Sequence, residues 1–173
     1  FNMKELVPCV YFRVGKEVYS VTDTSEAFRV NGVVGLTDRR GKRIGVRSCL
    51  PSQYQDIAGK WHSVMATGPM LIEEGRILVP EFTSPDGSGK GTDAFNDRRH
   101  PRTAIGHDGK GNIIMVVIDG RHPGKGDGAS IYETALICSF LGMTDAINLD
   151  GGGSSAIWCE ETGVLNHPSD NKV

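Results

Sequence analysis

Short apolar segments separated by glycine-centred turns dominate the chain. Apolar–polar alternation and brief continuous apolar runs predict strands over Val10–Val14, Glu17–Val21, Ala27–Val30, Val64–Ala66, Leu71–Glu73, Arg76–Ile77, Thr103–Gly106, Ile113–Ile118, Ala146–Leu149 and Ala156–Cys159. Val14-Gly15-Lys16, Glu74-Gly75 and Asp108-Gly109-Lys110-Gly111 carry the residues that tight turns need, so their flanking strands read as hairpins. Residues 83 to 100 (TSPDGSGKGTDAFNDRRH) are polar and glycine-rich and read as a loop. Helical periodicity is scarce. Its clearest instance is Ile131–Leu141 (IYETALICSFL), whose apolar residues wrap most of the circumference, so a mostly buried helix is expected. Gly142 stands where a helix-ending glycine belongs, and Ser130-x-x-Glu133 fits a capping box.

Ile113–Ile118, the helix and Ala146–Leu149 have the order and length of a right-handed βαβ unit. The expected fold class is therefore α/β in the α+β sense: a mixed β-sheet core with few helices and one such unit. Its two strands should be parallel, with their carboxyl ends on the one edge where open sheets bind ligands. Both strands end in Asp-Gly. Asp119-Gly120-Arg121 and Asp150-Gly151-Gly152-Gly153-Ser154-Ser155 would then bring two carboxylates, a guanidinium, two hydroxyls and bare backbone amides to one crevice. A lone Asp-Gly is most often only a turn. Three consecutive glycines, however, cost roughly 0.5–1 kcal/mol each in regular structure, which makes sense where bare amides must approach an anion. Upstream, His100-Pro101-Arg102-Thr103 sets a guanidinium and a hydroxyl at the entry to a short strand. Arg102 suits either a surface carboxylate or a bidentate phosphate contact.

Composition removes several alternatives. The 19 Lys and Arg against 21 Asp and Glu leave a net charge of −2, with no basic stripe, so nucleic acid is not an expected partner. No apolar run approaches the roughly 20 residues of a membrane span. Cys9, Cys49, Cys138 and Cys159 are widely spaced and read as small buried hydrophobes, with disulfides as the alternative. His62, His100, His107, His122 and His167 share no ligand spacing, so no metal is expected; His122, beside Arg121, is the one of interest. Ser84–Thr92 (SPDGSGKGT) mimics a nucleotide-binding P-loop but has Ser84 at the first glycine position, and a proline-ended polar run follows it. The chain opens on Phe-Asn-Met and closes on Asp-Asn-Lys-Val, so residues 1–173 are expected to be a single domain incomplete at both ends.

Taken in order, HPRTAIGHD, MVVIDGR, SIYETALIC, INLDGGGSSAIW and VLNHPSD resemble the phosphodiester glycosidase domain family. The match is close over residues 100 to 169, and weaker at ATGPMLIEEGRI (66 to 77). Phe1-Asn2 is similar to the tail of that family's Asn-Gly-x-x-Phe element, which would place part of the domain before Phe1. The segment 83 to 99 and His107 depart from the family pattern. The resemblance implies hydrolysis of a sugar-1-phosphodiester to free sugar and a phosphomonoester, without a cofactor, by an exported, envelope or lumenal protein. For that chemistry, phosphate and substrate binding is expected of Arg102, Thr103, Arg121, Asn148, Gly151, Gly152, Gly153, Ser154 and Ser155, and catalysis of Asp150, Glu133 and Asp119, with Asp150 foremost because it stands between a buried strand and the glycine turn. Glu133 stands evenly between cap and catalyst. The rival expectation is a non-catalytic carbohydrate or phosphoglycan binding domain on the same fold.

Overall fold

The computed structural model describes residues 10–20, 30–58, 60–79 and 94–170. Its strands are β1 (Phe12–Val14), β2 (Glu17–Ser20), β3 (Gly32–Leu36), β4 (Ile44–Ser48), β5 (Ser63–Thr67), β6 (Met70–Glu73), β7 (Arg76–Ile77), β8 (Arg102–His107), β9 (Ile113–Ile118), β10 (Asp145–Leu149), β11 (Trp158–Cys159) and β12 (Gly163–Val164). The helices are α1 (Tyr54–Ala58, entered through a 3-10 turn), α2 (Ala94–Asp97) and α3 (Ile131–Phe140). The α+β class and the sparse helices agree with the sequence pattern. The expected β1–β2, β6–β7 and β8–β9 hairpins form, all antiparallel. Val21 and Ala27–Arg29 lie outside the described residues, as do 83–93 with the P-loop-like run and the Phe1-Asn2 element. Within the expected 83–100 loop, residues 94–97 form the short α2.

β3 and β4 were not expected, and for β3 its burial explains why. Val33 packs on one side of its sheet and Val34 on the other, so both faces are apolar and the alternation that betrays a half-exposed strand is absent. One sheet has the order β2-β1-β5-β3-β4 and the second β7-β6-β10-β8-β9. Val34 and Val46 of the first meet Met70 and Ile147 of the second to form the layer between them. The outer face of the first is covered by Tyr54 and Ile57 of α1, with Tyr54 stacked on Tyr11 at 4.6 Å. The outer face of the second is covered by α3 through Ile131, Ala135 and Cys138.

The βαβ expectation needs one correction. β9 and β10 run in the same direction, but β8 lies between them and is antiparallel to both, so the two are not neighbours. Their carboxyl ends nevertheless reach the same edge, because the direction of a strand reverses twice across two antiparallel ladders.

α3 begins as expected: Glu133 N–H donates to Ser130 Oγ (3.1 Å) and Ser130 N–H to Glu133 Oε2 (2.8 Å). It ends in a Schellman turn, with Met143 N–H donating to Cys138 O and Gly142 N–H to Ser139 O, and Gly142 at φ +81°. Its burial departs from expectation. Ile131, Thr134, Ala135 and Cys138 face the sheet, whereas Leu136, Ile137, Leu141 and the 91 % exposed Phe140 face outward. A single covering helix has one side against its sheet, so apolar residues on the opposite side stay exposed. Among the described cysteines, Cys49, Cys138 and Cys159 are free, and burial pushes the Cys138 thiol up to about 11. Replacing Gly142 by alanine should cost about 1 kcal/mol because a Cβ is strained in the left-handed region. Urea unfolding that gave the same midpoint as wild type would refute this role for the turn.

Candidate active site

The register of β8 builds the edge. Arg102 lies opposite Ile118 of β9, and Thr103 lies opposite Leu149 of β10. Asp119-Gly120 and Asp150-Gly151 therefore leave the sheet on either side of Pro101. The contact is too close for side chains: a Cβ on Gly151 would lie 2.8 Å from Pro101 O. Gly152, at φ +98°, turns its N–H back to the same Pro101 oxygen at 3.0 Å. The glycine run is thus demanded first by backbone packing, and its first two amides are already engaged, since Gly151 N–H donates to Asp150 Oδ1 (3.0 Å). Ser155 N–H donates to Gly152 O, which leaves the amides of Gly153 and Ser154 without a bond among the described residues.

A third segment completes the edge, and no side chain in it was singled out from the sequence. Asn166 donates from Nδ2 to Asp119 Oδ1 (2.8 Å) and to Ser155 O (2.8 Å), while its Oδ1 accepts from Ile157 N–H (2.8 Å). His167 N–H donates to both Asp119 oxygens (3.1 and 2.9 Å), and the His167 ring lies 3.4 Å from Oδ2. Asp170 N–H donates to Gly153 O at 3.0 Å. His122 Nε2 meets His167 O at 2.8 Å, which gives that histidine a structural partner. The signal was present in VLNHPSD, where an asparagine ahead of a proline within a polar run invites side-chain bonding to backbone.

Each expected site residue can now be placed. Asp150 is exposed at the edge, with one oxygen on Gly151 N–H and no further donor among the described residues. Arg121, at φ +60°, extends over the glycine turn, its Nη2 4.0 Å from where a Gly152 Cβ would sit. Ser154 is exposed; Ser155 is buried, its Oγ unpartnered among the described residues. Arg102 shares a β8 face with Ala104 and so points toward α3. Only 2 % exposed, it donates from Nε to Ala129 O (2.9 Å) and from Nη2 to the carbonyls of Arg98 (3.0 Å) and Phe95, whose ring lies 4.8 Å away. Its guanidinium thus stands beneath the edge and not on it. Thr103 faces the other sheet beside Leu149. Asn148, 1 % exposed, ties β10 to the β5–β6 turn by donating to Gly68 O (3.0 Å), and also donates to Leu149 O (2.6 Å). The carboxylate of Glu133 is engaged by Ser130 and by Arg99, whose Nε reaches both oxygens at 3.1 Å.

Asp119 and Glu133 are both held toward their anionic forms. Burial pushes the Asp119 carboxyl up, but the Asn166 amide and the backbone and ring of His167 outweigh it and hold its pKa below the ordinary value. The Arg99 guanidinium, aided by Ser130 and against partial burial, does the same for Glu133. Among the described residues, no group of three or more His, Cys, Asp or Glu forms a metal site, and no helix is long and apolar enough to cross a membrane. Among the described residues, clefts away from this edge include one lined by Arg47, Cys49, Asp56 and Lys60 and another lined by Arg43, His107 and Lys110.

A model of the phosphodiester glycosidase domain matches residues 4–173. The chain belongs to the phosphodiester glycosidase family. Over 108 residues, 62 % of this chain, it is 39 % identical to the human and 32 % identical to the bovine N-acetylglucosamine-1-phosphodiester alpha-N-acetylglucosaminidase. That alignment covers 20 % and 19 % of those proteins, so the chain spans about a fifth of the length of these relatives. The catalytic domain of the zebrafish enzyme, auto-inhibited by its pro-peptide, shares the fold with TM-score 0.64 at 21 % identity, over 92 % of this chain and 50 % of that one. A hypothetical protein from Synechocystis aligns with TM-score 0.52 at 30 % identity, over 74 % of this chain and 22 % of that one.

The depressed carboxyls carry a pH signature. A carboxyl whose folded pKa lies below its unfolded value contributes stability above the unfolded value, here ordinarily 3.8 for Asp119 and 4.5 for Glu133, and loses it as pH falls through the folded pKa. Stability should therefore drop on acidification from about pH 5 to 3. Asp119→Asn should be less stable near neutrality and show a shallower drop. A variant with an unchanged pH slope would contradict the Asn166–His167 clamp.

Proposed function

We propose that this chain carries the hydrolytic site of a phosphodiester glycosidase acting on a sugar-1-phosphodiester. Water supplies hydroxyl to the anomeric carbon, the anomeric carbon–oxygen bond breaks, and the departing oxygen stays on phosphorus. The products are the free sugar and a phosphomonoester, with the proton from water passing to the departing side. The single observation that supports this most is the convergence at one sheet edge of Asp150, Arg121 and the glycine turn, while the carboxylates of Asp119 and Glu133 are occupied in holding structure.

A phosphate monoester is a good leaving group, so the site's main tasks are to hold its charge and to steady a cationic sugar ring. Arg121 supplies a fixed positive charge over the turn, and the amides of Gly153 and Ser154 and the Ser154 hydroxyl complete the cradle. Asp150 acts at the anomeric carbon, its position set by the end of β10 and the Gly151 amide. Arg102, Thr103, Asn148 and Ser155 support this edge from below, and Asp119 and Glu133 are positioning residues. The relatives' names favour N-acetylglucosamine as the sugar. A structural neighbour from Burkholderia pseudomallei, named as an exported protein, favours action outside the cytoplasm.

Turnover of an N-acetylglucosamine-1-phosphodiester separates the roles. Asp150→Asn should lower kcat by at least about a hundredfold with little change in Tm; near wild-type turnover would sink the assignment. Glu133→Gln should lower Tm through the lost ion pair while keeping kcat within about tenfold when assayed well below that Tm. A large loss of turnover at unchanged Tm would make Glu133 catalytic instead. Binding of the diester without product on prolonged incubation would favour a non-catalytic glycan-binding domain.

A further inference from the structure

Asp170 lies on the glycine turn with its carboxylate over Gly153. Its backbone N–H is fixed to Gly153 O at 3.0 Å, and a Cβ on Gly153 would fall 1.8 Å from Asp170 Oδ1 and 2.7 Å from Oδ2. The missing side chain at 153 is therefore the space that this carboxylate fills. Arg121 Nη1 stands 3.6 Å from Oδ1, too far for a good hydrogen bond, and the two side chains are 49 % and 57 % exposed. Such a loose, hydrated ion pair contributes little stability and is easily rearranged by an incoming anion. A phosphate drawn to Arg121 and the turn thus meets a negative charge that is already beside them.

We infer that Asp170 is a specificity-determining residue of this edge: its carboxylate, seated on Gly153 beside Arg121, makes the site accept a singly charged phosphodiester and reject a doubly charged phosphomonoester. The inference rests on the phosphate position proposed above. It concerns how that position discriminates, because substrate and product differ there by one charge. A phosphodiester carries one negative charge, whereas a phosphate monoester, with its second pKa near 6, carries close to two in neutral solution. Coulomb repulsion is proportional to charge, so Asp170 opposes the monoester with about twice the free energy and the square of the affinity penalty. Cleavage converts the weakly repelled ligand into the strongly repelled one. Product leaves, and the Arg121–Asp170 pair closes again.

Calorimetric titration with two small probes tests this: dimethyl phosphate as the monoanion and methyl phosphate, at about pH 8, as the dianion. Asp170→Asn should tighten dimethyl phosphate by about threefold and methyl phosphate by about tenfold, the second factor being near the square of the first. Asp170→Ser should give the same ordering, which guards against a peculiarity of one substitution. Inhibition of turnover by the phosphomonoester product should strengthen by the same factor. Equal gains for both probes, or none, would overturn the role of Asp170 while leaving the phosphate site intact. Arg121→Ala should weaken both probes in the wild-type background. If it does not, the phosphate position itself is wrong, and both this inference and the proposed arrangement fall together.

Discussion

Because β8 hydrogen-bonds to β9 on one side and β10 on the other, with Arg102 opposite Ile118 and Thr103 opposite Leu149, both outer strands leave the sheet beside the start of the middle one. The rest of the edge follows from that register. Pro101 has no N–H to offer, but its carbonyl collects the Gly152 amide and lies so near Gly151 that no side chain fits there. A slip of one residue would exchange the two faces of β8, putting Arg102 between the sheets and Ala104 away from α3. The hydrophobic layers on both sides of the second sheet therefore hold the chemical edge in place.

Arg102 shows how a buried charge serves that arrangement. Three backbone carbonyls and the Phe95 ring surround its guanidinium, which joins the start of β8 to α2 and to Ala129 ahead of α3. A buried cation is tolerable only when it is hydrogen-bonded in this way. Asn166 plays the corresponding part on the opposite side of the edge, where one amide group ties Asp119 to the backbone on both sides of Ala156. Between these two fixtures the groups of Asp150, Arg121 and Ser154 are left facing solvent.

Glu133 was balanced between two roles in the sequence because one pattern, Ser-x-x-Glu before an apolar run, is both a helix start and a carboxylate near the site. To the local capping bonds the structure adds Arg99, 34 residues away in the chain, as a partner of the carboxylate, which spacing alone does not encode. Asp119 likewise gains partners from afar, His167 and Asn166, 48 and 47 residues away. The outward apolar side of α3 is a related case: composition marks Leu136, Ile137 and Phe140 as core-like, but only the number of layers determines whether a second surface exists to cover them.

Local rules determined a good deal from the sequence by itself: the hairpins, the span and both caps of α3, and the two Asp-Gly strand ends. Each depends on residues within a few positions of one another, where turn chemistry and helical hydrogen bonding act. The tertiary structure alone decided that β8 separates β9 from β10, that β3 is a strand buried on both faces, that Arg102 turns inward, and that residues 166–170 close over the glycine turn. These outcomes arise from packing between layers and from hydrogen bonds spanning distant parts of the chain. Their energies depend on which surfaces meet, and a linear pattern of residues does not state that.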